Sequence, residues 1–331
     1  MLKNFFISVL GALTAFWISI MLLFILGVVF AAGTIVSALG GASSVSVEDN
    51  SVLYLPLSGA IEERQTAVEF AAIFNDEARP AALDDILNSI AAAKEDDKIK
   101  GIYLDCKGAS AGVATRLAIR KALQDFKKSG KWVVAYGDSY TQGDYYIASV
   151  ASEIYLNPVG TVDIHGLGSV IPFFKGLLDK LGVEMQVVKV GTYKSAVEPY
   201  ILTGMSDASR EQTLVFLTNI WNQITADIKA SRGVSVESLN QMADSLVAFG
   251  NGADYFVANK LVNGLAYQRQ VTDKLKEKTG RKSDEDLRTV YFGDYLQVAE
   301  VPHEKSEKNK IAVYYAFGNI VDYGTQGISA E

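Results

Sequence analysis

The N-terminal region of this chain has no charged residue between Lys3 and Glu48, and it is apolar almost throughout from Phe5 to Phe30. A helix needs about 20 apolar residues to cross the hydrocarbon core of a bilayer, which is about 30 Å thick. A cleaved signal peptide is the alternative, but its apolar region would have only about 7 to 15 residues. Ala31-Ala32-Gly33 still resembles a processing site, so cleavage stays open. We predict an uncleaved transmembrane helix at about residues 5–30, with the lipid bilayer as a partner.

The charges beside this segment predict its orientation. Lys3 and the terminal amine precede the apolar run, whereas Glu48 and Asp49 follow it. Positive charge is enriched on the cytoplasmic side of membrane helices. The N-terminus is therefore predicted in the cytoplasm and the bulk of the chain outside it.

Composition excludes several classes of function. The net charge is −7, and no basic patch is interleaved with aromatic residues, so a nucleic-acid partner is not expected. Cys106 is the only cysteine, which excludes an internal disulfide and a cysteine-rich metal site. Of the two histidines, His165 lies among glycines and is interpreted as structural, and His303 lies in a charged stretch. We predict no metal and no cofactor.

Strand patterns and helix patterns alternate after the anchor. Strands are predicted at 52–57, 101–105, 131–136, 153–156 and 183–190. Helices are predicted at 83–90, 113–128, 145–152, 173–181, 206–228 and 237–246, with Ser206 as the N-cap of the longest. Repeated alternation of this kind predicts an α/β fold built from parallel βαβ units.

A short internal repeat indicates the domain organisation. The pattern of residues 52–63 lines up with that of residues 311–322, which follow a charged region. We predict a cytoplasmic N-terminus, anchor and linker (1–46), a first repeat (47–273), a charged linker (274–310) and the start of a second repeat (311–331). Because a strand cannot bury its faces without a sheet, the second copy is interpreted as cut partway.

The run from Val190 to Tyr200 places one lysine, Lys194, in a turn-prone and mostly uncharged neighbourhood. If this turn is buried, desolvation disfavours the ammonium form and lowers the lysine pKa by roughly 3 to 5 units from about 10.4. Such an amine is a plausible general base for a serine hydroxyl. The alternative is an exposed lysine that ends a strand, with Glu198 as an occasional ion-pair partner.

Three motifs carry a family resemblance. They are Val190-Gly191-Thr192-Tyr193-Lys194-Ser195-Ala196-Val197-Glu198-Pro199, Gln142-Gly143-x-Tyr145-Tyr146-x-Ala148-Ser149 and Asn157-Pro158-x-Gly160-x-Val162-Asp163-x-His165-Gly166. With them the chain resembles, over nearly all of its length, the long, duplicated form of the bacterial signal peptide peptidase (SppA) family. These are membrane-anchored serine proteases with a Ser-Lys dyad. The resemblance implies that each half has a ClpP/crotonase-like fold, a repeated β-β-α superhelix.

The resemblance also implies how the catalytic residues divide between the halves. Lys194 matches the general base, whereas the nucleophilic serine belongs to the second half, beyond Glu331. The corresponding position here is Gln142, which cannot attack a carbonyl. Ser139 and Thr141 carry hydroxyl groups nearby, but neither is expected to be the nucleophile. Gly166 and Gly168 are expected only to shape the homologous loop.

The implied substrates are signal peptides left in the membrane after cleavage. The implied assembly is a homo-oligomer, such as a tetramer, in the bacterial inner membrane with most of the chain on the periplasmic side. Two other functions stay open: a non-catalytic membrane-anchored scaffold, and a crotonase-like acyl-CoA enzyme. An extracytoplasmic location argues against the latter, because coenzyme A is cytoplasmic. The fragment alone is expected to be inactive.

Overall fold

A computed structural model describes residues 2–40, 45–64 and 81–302, together with residue 313. The chain divides into a large unit, Met1–Val301, and a short one, Pro302–Glu331. His303 and nearly all of the second repeat predicted at 311–331 lie outside the described residues. The architecture below is therefore that of the large unit.

The chain begins with helix α1, which extends over Leu2–Gly40. Its segment Val9–Gly27 has 19 residues with a mean hydropathy of 2.5, and none of it is buried against the rest of the chain. At about 1.5 Å per residue this segment is about 28 Å long, close to the thickness of a bilayer core. An apolar N-terminal helix is confirmed; it fits a membrane anchor or a signal sequence.

A parallel six-stranded sheet forms the centre of the unit, with strand order β7-β6-β5-β4-β1-β8. A second, two-stranded sheet pairs β2 with β3. The strands are β1 Ser51–Leu57, β2 Ile61–Glu62, β3 Ala81–Ala82, β4 Ile99–Cys106, β5 Trp132–Gly137, β6 Glu153–Leu156, β7 Gly264–Leu265 and β8 Thr289–Tyr291. The predicted α/β class with a parallel sheet is confirmed.

Ten further helices lie among the described residues. They are α2 Leu83–Glu95, α3 Val113–Lys127, α4 Gln142–Ala148, α5 Lys175–Lys180, α6 Glu198–Ile201, α7 Asp207–Arg232, α8 Val236–Asp244, α9 Ala253–Ala258, α10 Gln268–Lys278 and α11 Phe292–Tyr295. The predicted cap of α7 is confirmed, because the Ser206 hydroxyl accepts a hydrogen bond from the Ser209 N–H. This bond satisfies one of the amides that a helix start leaves without a partner.

The two faces of the sheet bury different sets of side chains, because successive residues of a strand point in opposite directions. In β1, Leu53 and Leu55 enter the main core, whereas Val52 enters a smaller cluster on the other face. Val271 and Leu275 of α10 are fully buried in that smaller cluster. Both faces of the central strands are therefore covered, as expected for a parallel sheet.

The linker predicted from residue 274 differs from the structure. Helix α10 crosses that boundary, and strand β8 pairs with β1 along the edge of the main sheet. Val271 and Leu275 of α10 are buried against the sheet, and Lys274 and Lys278 lie over the rings of Tyr155 and Trp132 in neighbouring strands. An amphipathic helix of this kind reads as a charged linker when only its composition is considered. The described residues up to Val301 belong to the large unit.

The strand predicted over Val183–Val190 is wrong. This segment has no strand partner among the described residues, and Val188 and Val190 are 100% and 86% exposed. The residue types favour a strand, but a strand also requires a neighbour with which to pair. The first half of α7 is similarly uncovered: Leu214 in that half is 52% exposed, whereas Ile224 and Ile228 in the second half are buried.

Candidate active site

Lys194 lies on a short turn between the unpaired segment and α6. Gly191 begins this turn with φ = +103°, a conformation that residues with a Cβ rarely adopt. The Lys194 N–H donates to the Gly191 carbonyl at 3.4 Å. The Lys194 side chain is exposed, so the described residues do not form the buried turn and agree with the alternative of an exposed lysine. Its apolar neighbours Val190 and Tyr193 are themselves exposed and cannot exclude water.

An open groove of about 860 Å³ borders Lys194. The apolar lining of the groove consists of Val188, Val190, Tyr193, Phe216 and Leu217. Three residues with hydroxyl groups also line it: Ser169, Ser195 and Thr213. Gly168 is also part of the lining, whereas Gly166 lies in the preceding loop with φ = +77°. The sequence did not indicate the contribution of α7 to this groove.

Glu198 fastens the lysine turn to the start of α7. It is 2% exposed, and its carboxylate accepts hydrogen bonds from the Ser206 hydroxyl at 2.6 Å and the Ser206 N–H at 3.1 Å. The hydrogen bond from Ser206 lowers the Glu198 pKa from its ordinary value. Glu198 is therefore occupied by Ser206, and the ion pair with Lys194 considered as an alternative is not formed.

A second contact ties the same turn to α7. The Tyr193 hydroxyl donates to Oε2 of Glu211 at 3.2 Å, and this hydrogen bond raises the Tyr193 pKa. Within the described residues, no hydrogen bond or ion pair engages Nζ of Lys194. The turn is therefore fixed by the contacts of Glu198 and Tyr193, and not by any contact of the Lys194 amine.

The other predicted site residues lie between the end of β5 and the first residue of α4. Gln142 is largely buried, and its Oε1 accepts hydrogen bonds from the N–H groups of His165 and Gly166, each at 2.9 Å. The Thr141 hydroxyl caps α4 by accepting from the Asp144 N–H, and the exposed Ser139 hydroxyl accepts from the Thr161 N–H at 3.2 Å. Among the described residues, these three side chains take part in hydrogen bonds that hold the loops and the start of α4.

His165 does not complete a nucleophilic site in the described part of the chain. Its Nδ1 lies 2.8 Å from Oδ2 of Asp163, and both side chains are well exposed. A histidine oriented by a carboxylate is one part of a triad, but no described hydroxyl is hydrogen-bonded to this ring. The pair fits the structural interpretation made from the sequence.

Asp144 is a buried carboxylate that the sequence did not indicate. It is fully buried, with Oδ2 accepting from the Gly108 N–H at 2.9 Å and Oδ1 from the Ala109 N–H at 3.3 Å. Burial raises the Asp144 pKa, while hydrogen bonds from Thr141, Gly108 and Ala109 oppose the rise. The partner amides are 36 and 35 residues away along the chain, so no local pattern could have predicted the contact.

Comparison with known proteins identifies the central part of this unit. Residues 125–282, from the end of α3 to beyond α10, match the family described as "Peptidase family S49". This region is a peptidase family S49 domain. The S49 domain includes the Gln142 loop, the Lys194 turn and the groove-forming half of α7.

Three relatives show how far the similarity of this S49 chain extends. The chain is 34% identical to "Protease 4" of Salmonella typhi over 299 residues, which cover 86% of this chain and 48% of that protein. It is 33% identical to "Protease 4" of Haemophilus influenzae, with the same two coverages. It is 27% identical to "Serine protease SPPA, chloroplastic" of Arabidopsis thaliana, over 83% of this chain and 39% of that protein. The chain is thus similar to SppA-type peptidases over most of its length and spans about half the length of the first two.

Two solved structures resemble the S49 chain more distantly. A mutant of the "1510-N membrane-bound stomatin-specific protease" matches with a TM-score of 0.37 and 11% identity, covering 73% of this chain and 93% of that one. An enoyl-CoA hydratase/isomerase from Marinobacter aquaeolei matches with a TM-score of 0.34 and 14% identity, covering 59% and 64%. The architecture described above rests on the sheet order and not on these scores.

Proposed function

We propose that the complete protein is a membrane-anchored serine peptidase with a Ser-Lys dyad, in which Lys194 is the general base. The S49 match and the similarity to two proteins named "Protease 4" support the class of reaction. One structural observation carries the assignment of the site: Lys194 borders an apolar groove beside a segment whose backbone is unpaired.

The unpaired segment suggests how a peptide binds. Among the described residues, the backbone N–H groups of 184–190 have no hydrogen-bond partner. An extended peptide can pair with such an edge as an added strand, and pockets for alternate side chains then provide selectivity. The groove beside the edge is lined by valine, tyrosine, phenylalanine and leucine side chains. Apolar peptides such as cleaved signal peptides are the proposed substrates.

The proposed chemistry is acyl transfer in which Lys194 both accepts and returns the proton. Neutral Nζ of Lys194 takes the proton from a serine hydroxyl as its oxygen forms a bond to the peptide carbonyl carbon. The same proton passes to the leaving amine as the carbon–nitrogen bond breaks, and water then hydrolyses the ester. We propose that the serine lies in a further region of the complete protein. This region would correspond to the part of the relatives that the present chain does not match.

The exposure of Lys194 adds a requirement to this mechanism. Burial disfavours the charged form of a lysine, so we propose that a second surface covers the groove when the lysine acts. Phe216 and Val188 are 63% and 100% exposed and present an apolar face for such a cover. The cover is proposed to be the second half of the protein or a neighbouring copy in a homo-oligomer.

Helix α1 gives the proposed location. If it stays uncleaved in the bacterial inner membrane, with the bulk of the chain on the periplasmic side, it holds the groove near the bilayer surface. Signal peptides released by processing lie in that bilayer. Anchoring therefore raises the concentration of substrate at the groove without any added contact.

Replacement of Lys194 by methionine in the complete protein tests the proposal. Lys194→Met keeps the length of the side chain and removes the amine, so peptide hydrolysis is expected to fall to background with the oligomer intact. Lys180→Met is the matched control, because Lys180 is an exposed lysine outside the groove. Hydrolysis retained by Lys194→Met would remove this lysine from the mechanism. Hydrolysis by residues 47–331 alone would contradict the proposal that the nucleophile lies elsewhere.

A further inference from the structure

The loop that follows β4 directs two consecutive backbone N–H groups toward one buried carboxylate. Gly108 and Ala109 donate to the two oxygens of Asp144 at 2.9 and 3.3 Å. Gly108 has φ = +80°, so it adopts the left-handed conformation that lets adjacent amides point the same way. Successive amides in this arrangement form a concave site for anions.

The surroundings of the carboxylate bring one cation close to it. Asp144 is fully buried, and the Arg116 guanidinium adds positive charge nearby while donating to the Ala109 carbonyl at 3.1 Å. Arg116 also lies against Gly143, where an added Cβ would be 2.2 Å from its guanidinium carbon. Asp144 thus occupies a closed space bordered by two amides and this cation.

We propose that the amides of Gly108 and Ala109 form a binding site for one carboxylate-sized oxyanion, which the chain fills with its own Asp144. The site accepts an external anion only when this side chain is removed. The inference does not depend on the role assigned to Lys194. It goes beyond the proposed function because it assigns a ligand class to a second site in the same unit.

The proposal has a consequence for catalysis by this unit. Backbone amides directed at one oxygen stabilise the oxyanion of acyl transfer. Here the two amides instead bind one oxygen each of the Asp144 carboxyl group, so neither is available to a substrate carbonyl. The donors that a peptidase needs are therefore expected outside the Gly108–Ala109 loop.

Formate rescue of Asp144→Gly in the full chain tests the proposal. This variant removes the internal anion, and formate supplies a carboxylate of the same size. Its melting temperature is expected to fall by several degrees and to rise saturably with formate, recovering at least half of the loss. Sodium chloride at equal ionic strength is expected to give no comparable recovery. An equal response to formate and chloride would overturn the proposal.

Two matched variants separate the anion site from a general effect on α4. Asp144→Asn fills the space with a neutral side chain, and Thr141→Val removes the helix cap while keeping Asp144 in place. Both are expected to lose stability without a saturable response to formate. A formate response in Thr141→Val equal to that of Asp144→Gly would assign the effect to helix capping.

A measurement on the unaltered side chain decides the matter if Asp144→Gly does not fold. In protein labelled with ¹⁵N-glycine and ¹⁵N-alanine, the N–H resonances of Gly108 and Ala109 should shift together as Asp144 titrates. The shifts should vanish in Asp144→Asn. Resonances that stay constant across the titration would show that the amides do not bind the carboxylate.

Discussion

The Glu198 carboxylate accepts two hydrogen bonds from Ser206, one from the hydroxyl at 2.6 Å and one from the backbone N–H at 3.1 Å. Ser206 in turn caps α7 by accepting from the Ser209 N–H at 3.2 Å. One short chain of contacts therefore joins the Lys194 turn to the helix that forms the opposite side of the groove. The position of the lysine depends on the start of α7.

Glu198→Gln is expected to weaken the contact between the Lys194 turn and the start of α7. The amide keeps one acceptor oxygen but loses the charge that strengthens both bonds, so the free energy of unfolding should fall by about 1–2 kcal/mol. Urea denaturation measures the change, with Glu277→Gln at an exposed position as the control. Peptidase activity of the complete protein should also fall, by more than the loss of folded protein explains, because the turn carries Lys194. Equal stability of the two variants would contradict this role.

The same carboxylate predicts a pH dependence of stability. The Glu198 pKa is lowered in the folded state by its bonds to Ser206, so the folded protein holds the charged form more strongly than the unfolded chain does. The resulting stability is fully present above the ordinary pKa of 4.5 and is lost as the pH falls through the lower folded value. The difference in unfolding free energy between wild type and Glu198→Gln should therefore shrink on acidification. A constant difference between about pH 6 and about pH 3 would refute the assignment.

Gly191→Ala is expected to impair catalysis more than folding. The φ of +103° at Gly191 costs a residue with a Cβ about 1–3 kcal/mol, which shifts the turn rather than unfolding the exposed segment. We expect a fall of at least about tenfold in kcat of the complete protein, with little change in melting temperature. Gly204→Ala is the matched control, because Gly204 has no positive φ and no atom within 4 Å of an added Cβ. Equal kinetics for the two variants would exclude strain at Gly191 as a cause.

Leu214→Glu tests the proposed cover of the groove. Leu214 is 52% exposed on the uncovered half of α7, so a carboxylate there costs little in the single chain but is desolvated when another surface packs on it. Association of the complete protein should weaken by at least about tenfold, as measured by sedimentation in detergent. Val298→Glu, at 48% exposure in the turn after α11, should leave association unchanged. If both variants associate like wild type, this face of α7 is not an interface.

Arg120→Met is expected to destabilise the packing of three helices. Arg120 of α3 is buried and donates to the Tyr146 carbonyl and Ser149 hydroxyl beside α4, and to the Asp227 carbonyl of α7 at 2.7 Å. Its removal takes the buried donor from the Ser149 hydroxyl and breaks the link from α3 to α4 and α7, although the Tyr146 and Asp227 carbonyls still accept from the Ser149 and Ser231 hydroxyls. The free energy of unfolding should therefore fall by about 3 kcal/mol or more. Chemical denaturation against the exposed-site control Arg269→Met measures this loss. A loss no greater than that of the control would show that this link does not stabilise the packing.

Local signals were sufficient for much of the fold. The strand Val52–Leu57 and the cap Ser206 were predicted correctly, because alternation and capping depend on residues close in sequence. The strand over Val183–Val190 was wrong because pairing depends on a neighbour that no local pattern supplies.

The candidate site was predictable in its residues but not in its contacts. The family resemblance selected Lys194 and Gln142, which lie on a turn and at the first position of α4, both within residues 125–282. It did not indicate that Gln142 binds the His165–Gly166 loop, or that Asp144 binds two distant amides. Such contacts join loops from separate strands, so they become visible only when the sheet has brought the strand ends together.

The unpaired segment 184–190 has a cost when it is left uncovered. Apolar, β-favouring residues with unused backbone donors form the kind of edge through which separate molecules join into aggregates. Val188 lies within it and is fully exposed. The edge proposed to bind an apolar peptide therefore also favours aggregation of a copy in which it is uncovered. Val188→Lys should increase the solubility of the isolated unit.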